Sequence, residues 1–380
     1  MRILWERKIK EGDSCFHGGA FFEGIGVEFN NLDEKDNIIS ADVLDAWFPP
    51  APKIQEVIQS YLPWIIKTSP PTNSEGYIKT ISEHRTLNRE SILPGAGSSD
   101  LIFRIFNQWL RPSSKVLILD PTYGEYSHIL NKIIKCKVER LELKREEGYN
   151  INIDKLREKL NQKFDLFVWV NPNSPTGLHI NKNEAERLLL NNKGCERIWI
   201  DETYVEYAGR EQTLERFAEK SNNVFVCKSM SKVYALSGLR AAYLCGNPNN
   251  IWPLKGITPP WVISLPAQIA ATYALKQEDY YIKKYQETHE LRDKLELQLK
   301  QIGIDEIIPG IANFIMFHVG NDKFSASRIV NECKLKKLYL RDLSGMGTSF
   351  EDDAIRMAVK DLNTNNKMIA ILRECLNKFN

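Results

Sequence analysis

From about residue 90 onward, short apolar runs alternate with segments in which apolar residues recur every three or four positions. "KVLILDP" (115–121), "FDLFVWVNP" (164–172), "RIWIDE" (197–202), "NVFVCKS" (223–229) and "AAYLCG" (241–246) are short and almost uniformly apolar, and predict buried strands. "NEAERLLLNN" and "QTLERFAEKS", which lie between them, carry helical spacing. Strands that are apolar on both sides and separated by helices predict an α/β chain whose mostly parallel sheet is covered on both faces.

The pattern changes after residue 275. "KQEDYYIKKYQETHELRDKLELQLKQIG" predicts a long, charged amphipathic helix. "NFIMFHV", "LYLRDL" and "AIRMAV" then predict the strands of a smaller α/β lobe, closed by a helix from about residue 363. We therefore expect an N-terminal segment over 1–45 that joins the small lobe, a large lobe over 46–275 and a small lobe over 276–380. No internal repeat or low-complexity tract interrupts this order.

The chain has 380 residues, 43% hydrophobic and 26% charged, with a net charge of +2. So balanced a charge argues against nucleic acid or a membrane surface as the main partner. No apolar run is long enough to cross a bilayer, and "MRILWERKIKEGDS" lacks the apolar core of a secretion signal, so a cytoplasmic location is expected. The seven cysteines form no CxxC pair and the six histidines do not cluster; this reads as buried thiols and no metal site.

Polar, turn-forming sequences fall at the carboxyl ends of the predicted strands, where open α/β sheets carry their sites. "DPTYGEY", "NPNSPTG", "DETY" and "KSMSK" each follow a different strand. Lys232, placed after a buried run among small hydroxyl residues, is either a solvated loop lysine or an amine able to lose its proton and form an imine. Asp201 ends a strand of Ile and Trp, where a carboxylate calls for a cationic partner such as a protonated pyridine nitrogen. Tyr204 either caps the strand end or donates to a ring oxygen. "LPGAGSSDLIFRIFNQWL" opens a helix with Gly95, Gly97, Ser98 and Ser99, which suits a phosphate at a helix start, or is merely a cap. Ser229, Ser231 and Arg240 add hydroxyls and a fixed cation, with Gly238 expected to make room for Arg240 to turn back.

Taken in order, "GAGSSD", "DPTYGEY", "NPNSPTG", "DETYVEY", "SMSKVYALSGLR" and "AIRMAV" resemble the motif series of fold-type-I pyridoxal-phosphate enzymes, the class I/II aminotransferases. "HGGAFFEGIG", "LYLRDLSG" and "PPWVISLPAQIAA" are similar to stretches of histidinol-phosphate aminotransferases and threonine-phosphate decarboxylases. The resemblance implies a large domain with a mostly parallel, seven-stranded-type sheet plus a smaller α/β domain, assembled as a homodimer. It implies pyridoxal 5'-phosphate as cofactor and an amino-acid substrate handled at Cα through an external aldimine. By the same resemblance Lys232 is the Schiff-base lysine that also moves the Cα proton, Asp201 the pyridinium partner and Tyr204 the ring-oxygen donor. Tyr123 stacks on the ring; Gly97, Ser98, Ser99, Ser229, Ser231 and Arg240 form the phosphate cup; Arg356 clamps the substrate carboxylate.

The departures from the family pattern bear on the reaction. Ser174 stands where an asparagine commonly precedes "PTG", so either Asn173 takes over the ring-oxygen contact or the bond is weakened. The Ser174–Pro175 bond is a candidate cis peptide. "KTSPPTNSEG" lacks the tyrosine that relatives bring to the partner subunit's phosphate. Asp45 falls near an asparagine that would face the substrate; a carboxylate there favours a cationic substrate group, unless it merely caps or faces water. Arg341 resembles an arginine that grips a substrate phosphate, and His17, in the decarboxylase-like "HGG", is a further substrate-side candidate. Transamination is the expected reaction. Decarboxylation, or elimination or cyclisation of a hydroxylated guanidino amino acid, is the alternative.

Overall fold

The computed structural model describes residues 18–26, 28–190, 192, 194–319 and 325–378. Its strands, in chain order, are β1 (Ile39–Ser40), β2 (Ile92–Gly95), β3 (Lys115–Asp120), β4 (Lys137–Glu142), β5 (Leu166–Val170), β6 (Ile198–Asp201), β7 (Val224–Ser229), β8 (Ala242–Cys245), β9 (Ile307–Ile308), β10 (Phe314–His318), β11 (Leu338–Tyr339), β12 (Arg341–Asp342) and β13 (Ala354–Ala358).

A seven-stranded sheet runs in the order β2-β8-β7-β6-β5-β3-β4. The pairs from β4 through β7 are parallel, and β8 is antiparallel to both β7 and β2. "AAYLCG" is therefore a strand, but not one of the parallel set. The edge strands β2 and β4 did not stand out from the sequence. β2 is four residues long and ends in glycine, while β4 is "KVERLE", whose charges suit an exposed edge.

The continuous apolar runs are explained by layers on both faces. Along β5, Phe167 and Trp169 enter one core with Ile198 and Ile200 of β6, whereas Leu166, Val168 and Val170 enter the other with Trp199. Because successive residues of a strand point to opposite faces, each run feeds both cores at once. Strand order reverses between β3 and β5, and in such sheets the crevice beyond the carboxyl ends at that switch is where ligands bind.

A second, four-stranded antiparallel sheet has the order β12-β13-β10-β9. The 24-residue helix Glu278–Gln301 leads toward it, and the helix Leu362–Asn377 ends the described chain. From the N-terminal side, β1 pairs in parallel with β11, and Ala358 donates to the carbonyl of Ala41. Arg145, from the segment after β4, bridges to the second sheet through Glu306 and Asp353. Among the described residues no helix is long and apolar enough to cross a membrane.

Candidate active site

Five strands of the large sheet, β2, β3, β5, β6 and β7, deliver polar residues to one cavity at their carboxyl ends. It is lined by Ser98, Ser99, Tyr123, Val170, Ser174, Asp201, Thr203, Tyr204, Ser229, Ser231, Lys232 and Arg240. Strand alternation selects which side chains enter it. Asp201 and Ser229 line the cavity, while their neighbours Glu202 and Lys228 lie buried against each other, 3.3 Å apart.

Around Arg240 the cavity has features that suit an anion. The helix Ser98–Trp109 begins there, preceded by Gly97 at φ +87°, a region that side chains other than glycine's rarely adopt. A Cβ on Gly97 would run into the guanidinium of Arg240. Arg240 has left-handed backbone, φ 58°, and its Nη1 donates to Ser231 Oγ at 3.3 Å and to the Ser237 carbonyl at 3.1 Å. The turn that returns Arg240 is thus made by its own backbone. Gly238, expected to make that room, is not crowded, with open space where its Cβ would be.

Asp201, in the wall of the same cavity, is buried with no ion-pair partner among the described residues. Its Oδ2 accepts from Tyr126 Oη at 2.7 Å and its Oδ1 from the amide and hydroxyl of Thr203 at 3.0 and 2.6 Å. Burial pushes its carboxyl upward, and these hydrogen bonds do not fully offset that. A bound cation in the cavity would meet a carboxylate that is already oriented.

Lys232 lines the same cavity. Its Nζ donates to Asp45 Oδ1 at 2.7 Å and to Ser237 Oγ at 3.4 Å. Burial lowers the pKa of its amine, and Asp45 only partly opposes that, because Arg240 and Arg356 add to the lowering. Its backbone is clamped from behind: Tyr207, Tyr285 and Tyr281 donate to the carbonyls of Lys232, Val233 and Tyr234 at 3.2, 2.8 and 3.2 Å. The sequence reading missed this clamp. Its signal was the one-turn spacing of Tyr281 and Tyr285 in an otherwise charged helix.

Arg356 reaches the cavity wall from β13: its Nη1 donates to Ser174 Oγ at 3.0 Å, and its guanidinium lies over the Phe314 ring. Arg341 faces it in register from β12. Tyr204 packs edge-on against Phe314 and lines the cavity. Tyr123 and Ser99 both donate to Glu125 Oε2, at 2.9 Å each. His17 lies outside the described residues.

Asn173 and Ser174 were the two candidates for the ring-oxygen position. The side-chain amide of Asn173 donates to the Pro121 carbonyl after β3 at 3.1 Å and to Thr176 Oγ1 of its own turn at 3.2 Å. Ser174 lines the cavity instead, at a Ser174–Pro175 bond that is cis. The substituted position, rather than its neighbour, faces the site.

The aminotransferase class I and II profile matches residues 41–372. The chain belongs to that family. It is accordingly a pyridoxal-phosphate-dependent enzyme with the aminotransferase type I fold. The histidinol-phosphate aminotransferase of Staphylococcus epidermidis is 25% identical over 352 residues, 92% of each chain. Among solved structures, the histidinol-phosphate aminotransferase of Sinorhizobium meliloti in complex with pyridoxal-5'-phosphate superposes with a TM-score of 0.82 at 17% identity, covering 91% of this chain and 94% of that one. The L-threonine-O-3-phosphate decarboxylase of Porphyromonas gingivalis superposes with a TM-score of 0.77 at 17% identity, covering 90% and 100%.

The residues present fit this cofactor. The cradle that a Cβ on Gly97 would obstruct suits its phosphate, the buried Asp201 without an ion-pair partner its pyridine nitrogen, and Lys232 of the same cavity its aldehyde.

Proposed function

We propose that this enzyme is an aminotransferase whose substrates carry anionic groups gripped by Arg356 and Arg341. The observation that carries this reading is the register of those two arginines. They are direct partners on antiparallel strands, so both guanidinium groups leave the same face of the small sheet, and Arg356 already touches the cavity wall at Ser174. Relatives named histidinol-phosphate aminotransferase support a substrate of that phosphorylated amine type.

In this reading pyridoxal phosphate supplies an electron sink for bonds broken at the substrate Cα. Lys232 Nζ holds the cofactor and moves the Cα proton, and Asp201 keeps the ring nitrogen protonated. Tyr204 donates to the ring oxygen and Tyr123 covers the ring face. Gly97, Ser98, Ser99, Ser229, Ser231 and Arg240 hold the phosphate. Residues 46–275 act as the cofactor-binding lobe, with 1–45 and 276–380 forming the smaller one. The working unit is read as a cytoplasmic homodimer. Exposed Tyr61, Leu62, Trp64 and Ile66 on the helix Pro52–Lys67 support the dimer, since a run of large apolar side chains facing water suits a covered surface.

A second reading, a non-transaminating enzyme of the same scaffold, is favoured by Asp45, a carboxylate in contact with Lys232 that would welcome a guanidinium or ammonium group. Single-turnover mixing of the loaded enzyme with glutamate, histidinol phosphate, phosphothreonine, arginine or 4-hydroxyarginine separates the two. A keto product with the cofactor left in its amine form supports transamination. Loss of carbon dioxide or water with the cofactor recovered as aldehyde overturns it in favour of the second reading.

A further inference from the structure

Asp45 reaches Lys232 from a distant part of the chain, the irregular segment between β1 and the helix Pro52–Lys67, and their 2.7 Å contact spans 187 positions. The pair is not on open surface: the lysine side chain is 19% exposed and the carboxylate 42%. The other charges around the lysine are mostly positive. Arg240 and Arg356 face it, and Lys360, at the end of β13, faces both it and Asp45; Asp42 and Asp361 lie toward Lys360, and Tyr204 lies near Asp45. Ser237 is the neutral neighbour of Nζ. Among the described residues Asp45 is thus the one carboxylate in contact with a nitrogen that three nearby cations and burial all push toward the neutral form.

We propose that Asp45 is the positioning residue that holds a proton on the Lys232 nitrogen, in the free amine and equally when that nitrogen carries the cofactor. This rests on reading Lys232 as the cofactor lysine, and it goes beyond a role for Asp45 in substrate recognition. Asp45 itself supports the assignment. Burial pushes its carboxyl up, but Lys232, Ser237 and Lys360 outweigh that and hold it below the usual carboxylate range, so it stays charged wherever the lysine titrates. In that arrangement the proton rests at an atom next to the substrate space, ready for the transfers that chemistry at Cα requires.

The test compares Asp45→Asn with the unaltered chain through two readouts. In the unloaded protein, the pH dependence of Lys232 labelling by an amine-directed reagent, followed by peptide mass spectrometry, reports the amine directly. In the loaded protein, a pH titration of cofactor absorbance reports the proton on the bound nitrogen. Removing a charge 2.7 Å away should lower both midpoints by about 1–2 pH units for a partly solvated pair. Lys360→Met, which removes an opposing cation, should move them upward. Unchanged midpoints in a folded Asp45→Asn protein overturn the proposal, and a change confined to KM for arginine overturns it in favour of substrate recognition. If Lys232 is not the cofactor lysine, Lys232→Ala keeps the bound-cofactor absorbance, which defeats the underlying reading, while the labelling readout still decides whether Asp45 holds the proton.

Discussion

Replacing Lys228 by methionine keeps the length of the side chain and removes the ammonium that sits between Glu206 and Glu202, at 2.9 and 3.3 Å. Both carboxylates are under 5% exposed, and Arg85, itself buried, then remains paired with Glu206 and Glu215, while Glu202 loses its contact with Lys228. In the intact cluster burial pushes Glu206 up, but Lys228 and Arg85 outweigh it and hold it at about 2. Burial likewise opposes the charge on Lys228, yet Glu206 and Glu202 hold its pKa above the ordinary lysine value. Removing one partner of a buried ion pair typically destabilises by about 3–5 kcal/mol, because the other charge is left uncompensated. At an unfolding entropy of about 2.1 cal/mol/K per residue over 380 residues, that is a fall of roughly 4–6 °C in thermal midpoint.

The assay is scanning calorimetry or differential fluorimetry of the variant at several pH values. Without its cation, a buried carboxylate has a folded pKa above its unfolded one. Its penalty is absent at low pH and grows as pH rises through the folded pKa, so the gap between variant and parent should be larger at pH 8 than at pH 4, values set by the ordinary carboxylate range of about 4. Adding Glu206→Gln to Lys228→Met should recover part of the loss. Cofactor binding through Lys232 should survive. A midpoint within about 1 °C of the parent at every pH, well under what a buried pair predicts, would refute the burial argument, and loss of the cofactor-bound absorbance would mean the wrong lysine has been set aside.

Asp201→Ala should weaken cofactor retention and slow turnover by about three powers of ten or more, as expected when a preorganised charge is removed; near-normal single-turnover rates would show that another carboxylate serves the ring nitrogen. Gly97→Ala imposes a strained φ of +87° and displaces Arg240, so cofactor dissociation measured by equilibrium dialysis should rise about tenfold or more, and an unchanged constant would remove the phosphate-cradle assignment. Burial, with Arg85 and Arg210 nearby, lowers the pKa of His84 to about 4. Its folded value lies below its unfolded one, so the folded state loses stability as pH falls from the ordinary histidine range toward 4. His84→Gln should flatten that part of the stability profile, and an identical acid limb would contradict the assignment.

The parallel strands were legible because burial on both faces leaves a continuous apolar run, and the site was legible because each such run ended in polar turn residues. β3, β5, β6 and β7 fall where the pattern put them, and Lys232, Asp201, Arg240, Ser98 and Ser99 converge on one cavity. That much is local: it depends on what a stretch of a few residues can bury. The direction of β8, the edge strand β4 and the left-handed backbone by which Arg240 turns back were not legible, because an antiparallel strand and a parallel one share the same alternation, and a charged edge looks like a loop. Side-chain orientation around a tight turn was equally out of reach, which is why the sequence left Asn173 and Ser174 open, and of the two it is Ser174 that lines the cavity. Only the tertiary structure could bring Asp45 to Lys232, set Arg341 opposite Arg356 and separate Lys228 from Lys232 into a buried ion cluster and a site. Those relations join residues far apart in the chain, and their energies depend on distance and burial in space, which no local pattern of residues encodes.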